Sequence, residues 1–177
     1  MKKTKNSELN RLSVEAFKEA RKNQFVVVLD NIRSMNNIGS VFRTSDAFRV
    51  EKLVLCGITA TPPHREIHKS ALGATESVSW EYAETTKQAV AGLKENGYIV
   101  VAIEQTDTSI NLKDYYPPVS EKIALVFGNE INGIDEDVLD LCDFSVEIPQ
   151  FGTKHSFNIS VSAGIILWDM VTKLGKI

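Results

Sequence analysis

Two cysteines, three histidines and two tryptophans are all this 177-residue sequence offers of the residue types that most often mark metal, redox or stacking sites. Cys56 and Cys142 stand singly in apolar company with no CxxC spacing. They read as free thiols in a reducing cytosol, not as a disulfide framework. His64 and His68 lie four apart with Glu66 between them, but the order is not HExxH and His155 is the only further histidine. That set is too thin for the ligand groups zinc takes, so no metal is expected. His155 and Ser156 are neighbours, yet no acid is placed to orient the histidine, which argues against a Ser-His hydrolase. No Gly-Lys-Ser/Thr closes a glycine loop and no GxGxxG occurs, so both common phosphate-binding signatures are missing. Trp80 and Trp168 read as core or interface residues. No run is long and apolar enough to cross a bilayer, and no signal-peptide core follows the Lys-rich start. A cytoplasmic protein with no membrane partner is the expectation.

Positive charge is scarce overall: the formal net charge is −3, with a pI near 5.7. Nucleic-acid binding through bulk charge is thereby disfavoured. The distribution is uneven, however. Residues 1–24 carry seven Lys/Arg against Glu8, Glu15 and Glu19, a net of +4, which leaves about −7 for residues 25–177. A basic head on an acidic body permits a local phosphate contact; a solvated amphipathic helix explains the same charges.

What is present is an ordinary mixture, 43% hydrophobic and 24% charged, sufficient for one sizeable core. Apolar β-branched runs at Phe25–Leu29, Lys52–Cys56, Val78–Tyr82, Tyr98–Ile103, Lys122–Phe127 and Phe144–Ile148 read as strands. Helical spacing follows Ser13 as far as about Lys22, and covers Ile38–Phe48 with Asn37 as its cap. It recurs in Thr85–Asn96 and in Asn158–Leu174 before Gly175. Gly57–Thr75 reads as irregular and Glu104–Pro118 as a polar loop. Strands alternating with helices predict a single α/β domain with a mostly parallel sheet. The last helix is apolar on more than one side, so it is either sandwiched in the core or covered by a second subunit.

The chemistry is expected where strands empty into polar turns. Lys122–Phe127 leads into Gly128-Asn129-Glu130-Ile131-Asn132-Gly133, and the loop Gln150–Phe157 delivers Ser156 and Asn158 to the last helix. Such loops at strand ends are where an open α/β sheet places a ligand. Alone, the Gly128–Gly133 turn is weak, because glycine in a strand-to-helix turn often serves the backbone. Asn31–Asp46 packs asparagines, Arg33, Arg43 and a Gly39-Ser40 pair around a helix start, a setting that binds phosphate readily. Arg43 paired with Asp46 on the helix surface explains the same residues equally well.

Taken together, Asn31–Phe48 (NIRSMNNIGSVFRTSDAF), Ala124–Gly133 (ALVFGNEING) and Ile148 with Ser156–Ala163 (SFNISVSA) resemble the three motifs of the TrmH/SpoU family of SPOUT RNA methyltransferases. Asn37, Gly39 and Arg43 are in register, and Phe157 stands where leucine or methionine is more usual. The resemblance implies an S-adenosylmethionine-dependent methyltransferase acting on a ribose 2′-OH in tRNA or rRNA as a homodimer. It further implies a trefoil knot in the C-terminal half of an α/β fold, with residues 25–177 as one SPOUT domain and 1–24 as a basic helical extension. It places the cofactor near Ile103, Gly128, Ile148, Ser156 and Phe157. Arg43 is the first catalytic candidate, with Asn37, Glu130, Ser156 and Asn158 around it. In the family the matching arginine is assigned to activating the hydroxyl; a guanidinium normally only donates, so gripping the adjacent phosphate and orienting the ribose is the role expected here. This chain, with about two dozen residues ahead of its first strand, resembles the short members. Arg33, Arg43 and Lys22 are then the expected RNA contacts. A non-catalytic RNA-binding or ribosome-assembly module of the same fold, or a base-methylating SPOUT enzyme, are the alternatives.

Overall fold

The computed structural model describes residues 1–5 and 8–176, so two positions of the basic head and the last residue of the domain lie outside it. Seven strands form one sheet in the order β3-β2-β1-β6-β4-β7-β5. They are β1 (Asn23–Asp30), β2 (Val50–Cys56), β3 (Ser79–Ala83), β4 (Tyr98–Ile103), β5 (Ile110–Asn111), β6 (Lys122–Phe127) and β7 (Phe144–Glu147). Every pairing is parallel, which follows from crossovers long enough to return each strand in the same sense.

Central strands buried on both faces need no polar alternation, and β1 and β6 have none. Their side chains still sort by parity. Phe25, Val27 and Leu29 join Ile123, Leu125 and Phe127 on one face, while Val26 and Val28 join Ala124 and Val126 on the other. The first face is covered by α1 (Val14–Glu19), α2 (Met35–Ala47), α3 (Arg65–Ala71), α4 (Ala74–Ser77) and α7 (Ile159–Lys173). The second is covered by α5 (Thr86–Glu95) and α6 (Glu136–Leu139).

Several local readings are corrected. Helix α2 begins at Met35 with Ser34 as its cap, its side chain accepting from the Asn37 N–H at 3.3 Å; Asn37 is therefore inside the helix, its amide free to point elsewhere. The Gly57–Thr75 stretch is not irregular throughout but holds α3 and α4, and His64 caps α3 by accepting from the Glu66 N–H at 3.2 Å. These helices have seven and four residues, too short to show a clear amphipathic period. The Glu104–Pro118 loop contains β5 and a 3-10 turn, Leu112–Asp114. Helix α1 stops at Glu19 because Ala20 turns extended. Arg43 and Asp46 make no ion pair with each other; the Asp46 carboxylate accepts from the Ser77 hydroxyl instead.

Gly39 explains part of the first motif. A Cβ there would lie 2.3 Å from the Ile67 carbonyl oxygen and 2.1 Å from Ser70 Oγ, so glycine is what lets α2 and α3 touch backbone to backbone. Burial pushes the Cys56 thiol up to about 12 and the Cys142 thiol up to about 11, which keeps both protonated and unreactive near neutral pH. Among the described residues no helix is long and apolar enough to cross a membrane.

Candidate active site

The loops after β4, β6 and β7 leave the sheet at the carboxyl ends of three neighbouring strands. They enclose a cleft of about 520 Å³, within the range common for small-molecule sites. All five residues the family resemblance placed at the cofactor line it: Ile103, Gly128, Ile148, Ser156 and Phe157. Glu130 and Asn158 line it too.

Hydrogen bonds between the loops hold the cleft open at this size. Glu104 accepts from the Ile134 N–H at 3.2 Å, tying the loop after β4 to the loop after β6. Gln105 Nε2 donates to the His155 carbonyl at 3.0 Å, tying the first loop to the one after β7. The loop after β6 closes on itself, with Asn129 and Gly133 exchanging backbone hydrogen bonds at 3.0 Å. Gly128 cannot be replaced there, since a Cβ would lie 2.3 Å from the Gly133 carbonyl carbon.

One polar chain joins all three family motifs. Asn158, the cap of α7, donates through Nδ2 to Asn37 Oδ1 at 3.1 Å. Asn37 Nδ2 donates to Glu130 Oε1 at 3.2 Å. Glu130 also accepts from the backbone N–H groups of Arg33 at 3.2 Å and Ser34 at 3.3 Å. Burial by itself would raise the Glu130 carboxyl, but these N–H donors, the Arg33 N–H foremost, outweigh it and hold the group below the usual carboxylate range. A carboxylate held ionised in this way is a weak proton acceptor near neutral pH. Glu130 therefore serves to anchor the start of α2 to the cleft.

The remaining predicted residues are placed differently. Arg33 is exposed beside this network. Arg43 does not line the cleft of its own chain: it stands exposed on α2, six residues beyond Asn37, about 9 Å along the helix axis. Among the described residues its side chain makes no hydrogen bond or ion pair. Lys22 lies at the opposite end of the sheet, its ammonium donating to the carbonyls of Phe17, Lys18 and Ala20 and packing over the Phe17 ring. It caps α1 and has no donor left for a phosphate. Among the described residues no group of three His, Cys, Asp or Glu is arranged to hold a metal.

Sequence reasoning missed Glu104 and Gln105 as site residues, and held Asn129 and Asn31 only as members of their motifs. Asn129 Nδ2 donates to the Asn31 carbonyl at 2.7 Å, and Asn31 Oδ1 accepts from the Ile58 N–H at 3.1 Å. Only the position of Glu104 and Gln105 directly after a buried strand could have signalled them.

The chain is similar in sequence and fold to known proteins. The model of the SpoU rRNA Methylase family matches residues 24–168. A tRNA (guanosine(18)-2′-O)-methyltransferase of Borreliella burgdorferi is 28% identical over 163 residues, covering 92% of this chain and 73% of that protein. A Staphylococcus haemolyticus protein named for the TrmH family of tRNA/rRNA methyltransferases is 30% identical over 149 residues; 84% of this chain spans 58% of it, little more than half its length. In fold, the chain superposes on an AdoMet-bound rRNA methyltransferase from Sinorhizobium meliloti with a TM-score of 0.78 at 24% identity, covering 88% of this chain and 59% of that one. With the family model spanning most of the chain and its three motifs meeting at one cleft, this protein belongs to the SpoU rRNA methylase family.

Proposed function

We propose that this protein transfers a methyl group from S-adenosylmethionine to a ribose 2′-OH of tRNA or rRNA, and does so in the cytoplasm as a homodimer. The observation that carries the reading is the convergence of three strand-end loops on one cleft, with Asn158, Asn37 and Glu130 linking the three family motifs at its rim. The relatives named above, a tRNA 2′-O-methyltransferase among them, give the reaction class.

The cleft suits the cofactor chemically. Ile103, Ile148 and Phe157 offer apolar wall, while Glu104, Gln105, Asn129 and the backbone of residues 128–134 offer donors and acceptors. The cofactor would supply a methyl group on a sulfonium, a good leaving group. What this chain must then provide is alignment, since a ribose hydroxyl is a poor nucleophile and positioning supplies much of the remaining acceleration. The Glu130–Asn37–Asn158 chain fixes the cleft rim, and Arg43 grips the phosphate beside the target ribose to present its hydroxyl.

A second copy of the chain is what brings Arg43 to a cleft. Helix α7 exposes Val161 (48%) and Trp168 (58%) on one stripe with Ile165, and Phe48 of α2 meets Trp168 edge-on at 6.2 Å between centroids. Such an apolar patch suits an interface, and Arg43 stands exposed on the neighbouring helix α2. The knot that the resemblance implies is supported by connectivity. The segment between β4 and β6 reaches beyond β7 to form the edge strand β5 before returning inside β4. The Lys173 ammonium at the end of α7 donates to the carbonyls of Leu112 and Tyr115 in that same segment, so α7 runs beneath it.

Isothermal calorimetry with S-adenosylmethionine, followed by mapping of nuclease-resistant dinucleotides in RNA from cells with and without the protein, tests the reading. Cofactor binding with loss of a 2′-O-methyl mark is expected. Absence of cofactor binding would favour a non-catalytic RNA-binding module, and a base mark in place of a ribose mark would replace the reaction.

A further inference from the structure

A second cavity, of about 390 Å³, lies at the amino ends of the strands. It is separated from the cleft by the length of β1, about 23 Å at about 3.3 Å per residue. Four cations line it, Arg21, Lys22, Arg49 and Lys176, together with the amides of Asn23 and Gln24; among the described residues no carboxylate does. Among the described residues none of the four cations takes part in an ion pair. The acids nearest to Arg49 in sequence are engaged elsewhere: Asp46 accepts from Ser77, and Glu51 accepts from the Tyr98 hydroxyl at 2.8 Å.

Ordinary helix capping explains only part of this charge. The cavity gathers the carboxyl ends of α1, α2 and α7, whose caps are Ala20, Phe48 and Leu174. Each helix end carries about half a negative charge at most, so three ends balance about one and a half of the four positive charges. A surplus of more than two remains. Lys22 is consumed by its three carbonyls; among the described residues the exposed Arg21 and Arg49 guanidiniums and the Lys176 ammonium, which sits 5.5 Å over the Phe25 ring, donate to no acceptor. Lys22 and Lys176 are both held below the usual lysine range, by burial first and then by Arg49 and Arg21 respectively, as expected of cations crowded without a counter-ion. Arg49 moreover occupies a left-handed position (φ 47°) just after α2, where glycine costs least. A side chain kept there against backbone preference needs a use.

We propose that this cavity is an anion site that holds a backbone phosphate of the RNA substrate, other than the phosphate that Arg43 grips, through Arg21, Arg49 and Lys176. The assignment of the anion to RNA rests on the function proposed above. It gives an acidic protein a place to grip a polyanion, and it adds an anchor at the amino end of the sheet.

The test measures binding of labelled bulk tRNA to the full chain across a salt series, comparing wild type with the double variant Arg21→Ala/Arg49→Gly. Glycine at the left-handed position retains the fold, and thermal melting checks this. The slope of log affinity against log salt is expected to fall by about 0.7 to 0.9, the share of the one phosphate no longer neutralised. Arg21→Lys/Arg49→Lys should restore most of it. Calorimetry shows cofactor affinity unchanged in both variants. An unchanged tRNA slope with normal cofactor binding overturns this site and leaves the proposed function standing; a wild type that binds neither tRNA nor S-adenosylmethionine overturns both. Pyrophosphate is the second probe: if wild type binds it, the double variant does not, and the tRNA slope is unaltered, the site serves a free phosphate and the RNA assignment is overturned.

Discussion

The two ends of the sheet are built on opposite plans. At the carboxyl end, polar side chains are satisfied, Glu104 by the Ile134 N–H, Gln105 by the His155 carbonyl, and Glu130 by the Arg33 and Ser34 N–H groups and the Asn37 amide. At the amino end, cations crowd a cavity and, among the described residues, none of them is ion-paired. Parallel crossovers enforce the difference, because helices that return a chain between parallel strands all run the same way. Helices α2 and α7 both start at the cleft, at Ser34 and Asn158, and both finish beside the basic cavity, at Phe48 and Leu174. Positive helix ends thus face the cleft and negative ends collect the cations. A satisfied end can hold a shaped small molecule; an unsatisfied end can hold a polyanion.

The largest break in this comparison should come from Arg43→Ala. Methyl transfer should fall by about a thousandfold or more, equivalent to about 4 kcal/mol of transition-state stabilisation, while calorimetry finds cofactor affinity unchanged because Arg43 lies outside its own cleft. Near-normal turnover would remove Arg43 from the reaction. Gly39→Ala should damage both ends together, since α2 spans them and the added methyl meets the α3 backbone; a loss of about 3 kcal/mol, the upper part of the overpacking range, should appear in thermal unfolding.

Glu130→Gln should act on the cleft alone. It loses the charge that three N–H groups address, and cofactor affinity should weaken by about tenfold, about 1.4 kcal/mol, with the melting temperature little changed. The same residue sets an acid limit. Its folded carboxyl titrates below the ordinary 4.5, so its contribution is complete above that value and is lost as pH falls through the lower folded value. Acid titration of wild type against Glu130→Gln, read by cofactor affinity, should show that loss in wild type only. The smallest effect belongs to Lys22→Met. It should cost about 0.5–1 kcal/mol of stability through the lost α1 cap, and shift the RNA salt slope far less than the Arg21/Arg49 pair does, because the Lys22 ammonium is already bound to carbonyls.

Strands β4 and β6 are legible to the residue, as Tyr98–Ile103 and Lys122–Phe127, because buried parallel strands are continuous apolar runs bounded by polar turns. Helix α7 is legible for the same reason of composition. Helices α3 and α4 are not, being too short for a period, and with them goes the reason for Gly39, whose partner backbone lies in α3. The cap of α2 falls three residues before the position its sequence suggests, since Ser34 and Asn37 are both good caps and only the backbone at Ser34, extended at ψ 108°, decides between them.

By itself the sequence determined which segments are strands, which turns hold glycine and carboxylate, and which three motifs to set side by side. Local pattern suffices for that, because apolar runs and turn residues act on their own neighbourhoods. Tertiary structure alone decided that Asn37, Glu130 and Asn158 form one chain across 121 residues of sequence, and that Arg21, Arg49 and Lys176 crowd one cavity. Those meetings depend on strand order and on the common direction of the helices, which no window of sequence contains.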